Sequence, residues 1–366
     1  MKKLFKALII TMLVVASCLC LFACNTDDGE QSAKGIVYKK YKGEDFYTVY
    51  DYVDDGVTTS LNITAKDGIE IGRIATGAFD GSSLTEIIVP NTVTEIGAGA
   101  FKNMKKLESL TLPFIGKTAV ADGFINESAP SDDKSVDASR TISYLFGTEE
   151  YDMGIKITNN YNADKNTTCY LPQTLTKIVL NPKEDYVVPM YAFSGFVNLR
   201  TVELSDKVTA IGDGAFKGCM TLKNIELPAS VTAIGKNAFD SCKMLDTALL
   251  LSGATGVESL GNFAFANTKF ASITLPQSVQ TIGESCFVNA ELQTITLSKN
   301  LISIGKEAFS GCKYLTTVNS TTVTASKVTV GVFAFVDCKK LTNSGIDLSK
   351  FDCGANCFMD SGVTIA

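Results

Sequence analysis

The hydrophobic residues of this chain recur in one pattern about every 22 or 23 residues, with two longer steps of 26. One complete unit reads Leu222-x-x-Ile225-x-Leu227, then Val231-x-x-Ile234-Gly235, then Ala238-Phe239-x-x-Cys242. Its phenylalanine is the clearest marker, and it recurs at Phe79, Phe101, Phe193, Phe216, Phe239, Phe265, Phe287, Phe309, Phe335 and Phe358. The step from Phe101 to Phe193 is 92 residues, equal to four units of 23, and it contains an insertion. A fixed period of this length predicts a stack of similar structural units.

Each unit predicts two short extended segments and one tight turn. The alternation around Ile225 and Leu227 favours a strand with both side chains inward, and Pro228 ends it because proline cannot donate to a β-ladder. The Val-x-x-Ile-Gly segment predicts a second strand. The glycine of this segment is expected to permit the turn that follows. It recurs as Gly97, Gly212, Gly235, Gly283 and Gly305. Ala-Phe-x-x-Cys suits one helical or 3₁₀ turn, with the ring inserted between coils. One unit cannot bury its own apolar side, so we predict a β-rich repeat solenoid.

The repeat resembles the BspA-type leucine-rich repeat family of bacterial surface proteins over roughly residues 61–361. Phase, glycine, phenylalanine and cysteine recur together, which makes the resemblance more specific than the period alone. It implies a leucine-rich repeat solenoid of 22–26-residue units. It also implies work at the cell surface, by binding or by scaffolding.

Composition shifts along the chain indicate its segments. We predict a flexible tether at residues 24–34, an N-terminal cap with the first coil at 35–78, the solenoid at 79–361 and an atypical terminal repeat at 347–366. The insertion at about 113–190 departs from the period. Elaborated loops on rigid scaffolds often carry binding function. The alternative is a structural elaboration that packs Phe114, Leu145 and Phe146 on the flank of the solenoid.

The N-terminus predicts export. Residues 1–23 combine three lysines with an apolar run and a small-residue exit, which is typical of a cleaved signal peptide. The alternative of a transmembrane anchor is disfavoured by the short apolar run. The segment Leu21-Phe22-Ala23-Cys24 resembles the bacterial lipobox, although Phe22 is unusual there. This predicts that Cys24 is lipidated and that the membrane is a partner through the acyl anchor, on the outer face of the cell membrane. Ordinary cleavage with Cys24 left free is the alternative.

Charge and composition exclude several classes of function. The formal charge of −6 becomes −9 once residues 1–23 are removed, and a basic stripe is absent, so we expect no nucleic acid partner. The chain has no histidine, which excludes Ser-His-Asp and Cys-His catalysis and histidine-containing zinc sites. No phosphate-binding glycine loop is present. We therefore predict no catalytic residue, no metal and no cofactor.

Eight cysteines follow Cys24, and four of them stand three residues after the repeat phenylalanine: Cys219, Cys242, Cys312 and Cys338. Their phase favours a stacked ladder in which each thiol packs as a small hydrophobe. Disulfides between adjacent coils are an alternative, because stacked strands lie close enough for a bridge. A metal at Cys353 and Cys357 is a weaker alternative, since two thiolates make half of a tetrahedral site.

The outward strand positions are the candidate binding surface. Alternation places on one polar sheet face Ser109, Thr111, Thr201, Glu203, Asn224, Glu226, Ser272, Thr274, Thr294 and Thr296. Such a face suits an extracellular protein or glycan ligand. It is also what an ordinary solvated β-face looks like, since threonine favours strands. We predict a lipid-anchored surface binding module, with a structural spacer as the alternative and an envelope hydrolase as a remote third class.

Overall fold

The structure is a computed structural model that describes residues 30–33, 35–119, 138–160, 165–246, 250–251, 253–325 and 327–364. Its first twelve strands are β1 (Glu30–Ala33), β2 (Ile36–Lys39), β3 (Tyr47–Tyr52), β4 (Ser60–Asn62), β5 (Ile71–Ile74), β6 (Glu86–Ile88), β7 (Glu95–Ile96), β8 (Ser109–Leu112), β9 (Gly154–Asn160), β10 (Asn166–Pro172), β11 (Lys177–Leu180) and β12 (Tyr186–Val188). The next twelve are β13 (Thr201–Leu204), β14 (Val208–Ile211), β15 (Asn224–Ile225), β16 (Ala233–Ile234), β17 (Ser259–Leu260), β18 (Ser272–Thr274), β19 (Thr281–Ile282), β20 (Thr294–Thr296), β21 (Ser303–Ile304), β22 (Thr317–Asn319), β23 (Val328–Val330) and β24 (Phe351–Cys353). Helix α1 spans Ile142–Phe146, and 3₁₀ turns lie at Ala138–Arg140, Asn343–Gly345 and Leu348–Lys350.

The two extended segments of each repeat build two separate parallel sheets. The first sheet holds the Leu-x-x-Ile-x-Leu strands, in the order β4-β6-β8-β11-β13-β15 and then, after a break, β18-β20-β22. The second sheet holds the strands of the Val-x-x-Ile segments and is also interrupted: β3, β5 and β7 pair near the N-terminus, and after a break follow β12, β14, β16, β17, β19, β21, β23 and β24. Consecutive coils pair in the same register, as Val202 with Ile225 and Ile211 with Ile234. The inward residues therefore form continuous buried rows, which confirms the predicted solenoid.

The third side of each coil is the turn that carries the repeat phenylalanine. From Phe193 to Phe358 successive rings are 5.0–5.6 Å apart and within 12° of parallel, so they form one aromatic stack. Backbone bonds tie the turns together in the same way. The Phe239 N–H, for example, donates to the carbonyl of Ala264 in the next coil at 2.9 Å. The stack places an aromatic ring between neighbouring coils, as predicted.

The role predicted for the repeat glycine was wrong. Gly235 does not have a left-handed backbone, and a Cβ there would lie 2.7 Å from the backbone nitrogen of Asp213 in the preceding coil. The residues with a left-handed backbone lie two positions before and two positions after the phenylalanine. Around Phe239 they are Asn237 (φ 54°) and Ser241 (φ 65°). Glycine is thus needed because two backbones approach closely, and the turn itself uses other residues.

The insertion adds one coil between Phe101 and Phe193, and the predicted count of four units was wrong. Strand β11 pairs directly with β8, and α1 supplies the turn of the added coil. Phe146 takes the place of the repeat phenylalanine: its ring is 6.1 Å from that of Phe101, whose N–H donates to Leu145 O at 3.0 Å. The extra residues break the period, so sequence spacing alone concealed this coil.

The rest of the described insertion packs against the solenoid. Phe114, Leu145 and Phe146 are all buried, which agrees with the structural alternative for these residues. The antiparallel hairpin β9–β10 docks through Asn159, which is fully buried. Its amide donates to the carbonyls of Tyr191 and Ser194 at 3.0 and 2.8 Å, and it accepts from Ser143 at 2.9 Å. Residues 120–137 and 161–164 of the insertion lie outside the described ranges.

Both ends of the solenoid are covered. At the N-terminus β1, β2 and β3 form an antiparallel unit, and the Tyr52 ring lies 5.7 Å from that of Phe79. Residues 30–33 were expected to belong to the flexible tether, but they form β1, because they pair with β2. At the C-terminus Phe358 stacks on Phe335. The predicted signal segment 1–23 and Cys24 lie outside the described residues, and among the helices that are described none is long and apolar enough to span a bilayer.

Candidate binding surface

The structure places all ten predicted surface residues outward on the strands of the first sheet, or beside them, and none is buried: Ser109, Thr111, Thr201, Glu203, Asn224, Glu226, Ser272, Thr274, Thr294 and Thr296. Their chain neighbours Val202 and Ile225 point inward and are about 98–99% buried. Strand alternation thus predicted the direction of these side chains correctly, because one face of each strand must pack on the core.

The predicted continuous face is in fact two separate patches, and this corrects the sequence prediction. The unit between Phe239 and Phe265 has 26 residues, and a helical turn at Leu250 and Leu251 stands where a strand was expected. The Leu227 N–H donates to the Leu250 carbonyl at 2.9 Å, so the sheet ends at β15 and resumes at β18. We call the patch before the break the N-terminal strand face: Ser109, Thr111, Thr201, Glu203, Asn224 and Glu226. The patch after it is the C-terminal strand face: Ser272, Thr274, Thr294 and Thr296.

A cavity of about 440 Å³ lies at the end of the N-terminal strand face, next to this break. Four of the predicted residues line it together: Thr201, Glu203, Asn224 and Glu226, with Pro228 at one edge. The Asn224 amide donates to Thr201 Oγ1 at 3.3 Å. The backbone of Gly253, which follows the helical turn, approaches Glu226, since a Cβ there would lie 3.3 Å from its carboxylate oxygen. The cavity therefore lies where the sheet ends, with the backbone of Gly253 beside Glu226.

Two carboxylates give this cavity its electrostatic character. Glu203 pairs with Lys177 at 2.7 Å, but both side chains are largely exposed, with 55% and 39% of their surface accessible. Exposed pairs of this kind contribute little to stability. The Glu203 carboxylate can consequently exchange Lys177 for a ligand donor at small cost. The site offers several acceptors and suits a ligand rich in hydroxyl or ammonium groups.

The eight described cysteines are free; seven of them are buried in the core, and Cys353 is half-buried. Cys219, Cys242, Cys312 and Cys338 each donate to the carbonyl of the repeat phenylalanine in the preceding coil. Cys219, for example, donates to Phe193 at 3.2 Å, and Cys312 to Phe287 at 3.0 Å. Burial raises the pKa of the Cys312 thiol to about 12 and that of Cys169 to about 12. Thiols in this state are poor nucleophiles. Within the described ranges, no three His, Cys, Asp or Glu residues come together as a metal site.

Sequence reasoning missed a second cavity, which lies on the N-terminal cap. It has a volume of about 520 Å³ and is lined by Tyr41, Glu44, Thr48, Arg73 and Glu95, among others. These residues come from three strands and a loop of the irregular cap. The repeat pattern, which located the other site, carries no signal for it.

Comparisons with known proteins identify the repeat. The family profile described as "BspA type Leucine rich repeat region" matches in six copies, over residues 59–130, 165–257 and 251–364. No curated protein matches the chain.

Three solved structures are among those similar to this chain. A leucine-rich repeat protein from Bacteroides ovatus is 23% identical over 85% of this chain and 81% of its own, with a TM-score of 0.41. A leucine rich cell surface protein from Faecalibacterium prausnitzii is 21% identical over 94% and 97%, with a TM-score of 0.34. The pneumococcal vaccine antigen PcpA is 14% identical over 92% and 88%, with a TM-score of 0.31. The profile match covers most of the chain, and this protein belongs to the BspA-type leucine-rich repeat family.

Proposed function

We propose that this protein is a bacterial cell-surface recognition protein, held on the membrane by acylated Cys24. It binds an extracellular protein or glycan through the N-terminal strand face, without catalysis. The observation that carries the proposal is the cavity beside the sheet break, where Thr201, Glu203, Asn224 and Glu226 converge. Membership of the BspA-type leucine-rich repeat family supports a surface location.

The arrangement of the cavity suits recognition. Its polar groups stand on strands whose backbone is fixed by the core, so a ligand has to order the side chains but not the backbone. Its volume of about 440 Å³ falls within the range of small-ligand sites. Carboxylate acceptors form charge-assisted hydrogen bonds, each contributing about 1.5–3 kcal/mol. Two such bonds and the neighbouring amide provide both affinity and orientation.

The proposal is tested with an array of glycans and extracellular-matrix proteins probed with the purified protein. We expect a ligand to be retained by the natural protein and lost by the double variant Glu203→Gln, Glu226→Gln. The matched control is Glu258→Gln, which changes an exposed carboxylate beside the second sheet. Losing one charge-assisted bond should weaken binding about tenfold or more. Retention by none of the proteins would favour the spacer alternative, and equal retention by all would refute the assigned site.

The ligand class follows from the salt dependence of the retained interaction. Lysine or arginine groups of a protein ligand would bind more weakly as salt rises, because ions screen exposed charges. Neutral glycan hydroxyls would show little change. Acyl-mass analysis of the native N-terminus tests lipidation at Cys24 separately, and a free Cys24 thiol would contradict that part of the proposal.

A further inference from the structure

The cavity of the N-terminal cap lies on the outward side of the second sheet and is distinct from the N-terminal strand face. Its floor is the cross-strand row Thr48, Arg73 and Glu95, in which Thr48 pairs with Arg73 and Arg73 pairs with Glu95. The loop of residues 40–46 covers this row. Phe46 packs directly against Gly72, and Glu44 reaches Arg73. The resulting cavity has a volume of about 520 Å³ and is lined also by Tyr41.

The burial of Thr48 distinguishes this site from the rest of the second sheet. Outward threonines of other coils, such as Thr281 and Thr329, are exposed to solvent. Thr48 occupies an equivalent outward position but is only 1% exposed, because the cap loop lies over it. A hydroxyl enclosed in this way requires a hydrogen-bond partner, since burying it without one is unfavourable.

Two polar atoms of the cavity have no such partner. Thr48 Oγ1 and Glu44 Oε2 are both buried, and neither has a hydrogen-bond partner among the described residues. The other groups are satisfied: Arg73 donates to Glu44 Oε1 and to Glu95 Oε2, each at 3.0 Å. The arginine therefore fixes both carboxylates while one oxygen of Glu44 remains free to accept. A hydroxyl and a carboxylate oxygen without partners thus belong to two residues that line the same cavity.

Charge decides which ligand suits this space. The charges around the cavity compensate one another, because Arg73 pairs with Glu44 and Glu95, and Lys117 pairs with Glu95 at 3.8 Å. A ligand with a net charge of either sign therefore gains no net attraction there. A neutral ligand with several hydroxyl groups suits this balance. It can donate to Glu44 Oε2 and exchange a hydrogen bond with Thr48, while Tyr41 supplies an aromatic surface.

We propose that the cap cavity is a binding site for a neutral saccharide unit, whose hydroxyl groups bond to Glu44 Oε2 and Thr48 Oγ1. The site serves a free monosaccharide or one residue of a longer glycan equally well. It does not depend on the N-terminal strand face or on the function proposed for that face. The two sites share no residue, so variants at one leave the other intact.

The test uses the full protein and four neutral probes: the methyl glycosides of glucose, galactose, mannose and N-acetylglucosamine. Binding is followed by amide chemical shifts in two-dimensional NMR, which locates the site as well as measuring affinity. We expect at least one probe to bind with a Kd on the order of millimolar and to shift Ala75, Thr76 and Gly97, which line the cavity. Butylammonium and acetate ions should shift none of these amides.

Substitution separates recognition from folding. Thr48→Val keeps the side-chain shape but removes the hydroxyl, and it should weaken probe binding about fivefold or more. The matched control Thr281→Val makes the same change on an exposed strand of the second sheet and should leave binding unchanged. If Thr48→Val unfolds the cap, Glu44→Gln provides the second variant, and it should also weaken binding. Shifts confined to other regions, the absence of binding by all four glycosides, or equal affinities in all folded variants would overturn the proposal.

Discussion

Replacing one ring of the aromatic stack tests how the repeat holds its coils together. In the variant Phe239→Ala, the lost ring is fully buried and lies 5.3 Å from Phe216 and 5.6 Å from Phe265, nearly parallel to both. Truncating a buried phenylalanine costs about 3–5 kcal/mol of unfolding free energy. Each stacked pair adds about 0.5–1.5 kcal/mol beyond area burial. With two such pairs broken, we expect a loss near the upper end, about 4–5 kcal/mol.

The matched comparison is Phe358→Ala at the end of the stack. Phe358 contacts one ring, Phe335 at 5.1 Å, and is 6% exposed, whereas Phe239 contacts two and is 0% exposed. Breaking one stacked pair fewer should reduce the loss by about 1 kcal/mol or more. The comparison is informative because the chemical change is identical in both variants.

Urea unfolding followed by circular dichroism gives the two free energies. Hydrogen exchange then shows where each variant opens, since each coil of a solenoid contacts only its neighbours. We expect faster exchange around Phe216 and Phe265 in the first variant and near the C-terminus in the second. An unchanged unfolding midpoint for Phe239→Ala would refute the account of the stack. Equal losses of unfolding free energy in the two variants would refute the contribution assigned to the second stacked ring.

Three further predictions concern glycine, thiols and the hairpin. Gly97→Ala should cost about 3 kcal/mol in urea unfolding, because its Cβ would lie 2.2 Å from a backbone nitrogen of the preceding coil. Gly81 has a left-handed backbone but open space around it, so Gly81→Ala should lower the unfolding free energy by only about 1–2 kcal/mol. A larger loss for Gly81→Ala than for Gly97→Ala would contradict the explanation by close approach. At pH 8 iodoacetamide should label the half-buried Cys353 before Cys312, because burial raises the pKa of the Cys312 thiol to about 12. Equal labelling of the two cysteines in peptide mapping would contradict this prediction. Asn159→Ala should lower the unfolding free energy by about 2–3 kcal/mol, because buried carbonyls lose their donors, and a change under 0.5 would be inconsistent with docking through this amide.

The regular part of the fold follows from local pattern. A ring, a strand or an inward side chain that recurs in phase must occupy the same place in every coil, so Phe239 and Ile225 were located without a structure. The glycine prediction failed because the sequence shows only that glycine is required at Gly235. Whether the requirement is a backbone angle or a close contact depends on the neighbouring coil.

The irregular part depends on contacts that are distant in sequence. Phe146 was not recognised as a stack member, since it lies 45 residues after Phe101 and 47 before Phe193, about twice the repeat length in each case. Glu203 and Glu226 were predicted to face outward, but the sequence did not show that the sheet ends beside them, at the helical turn of Leu250. The cap cavity around Thr48 arises from a loop that folds over a strand, and no repeat signals such a path.

Hydrogen exchange of the protein with and without the strongest ligand from the array tests the central claim most directly. The account predicts slower exchange in β13 and β15 and in the adjoining residues 226 and 227, because these segments carry the four polar residues that line the cavity. The C-terminal strand face, from Ser272 to Thr296, should exchange as in the free protein. Protection confined to that second patch, or to the hairpin β9–β10, would contradict recognition through the N-terminal strand face.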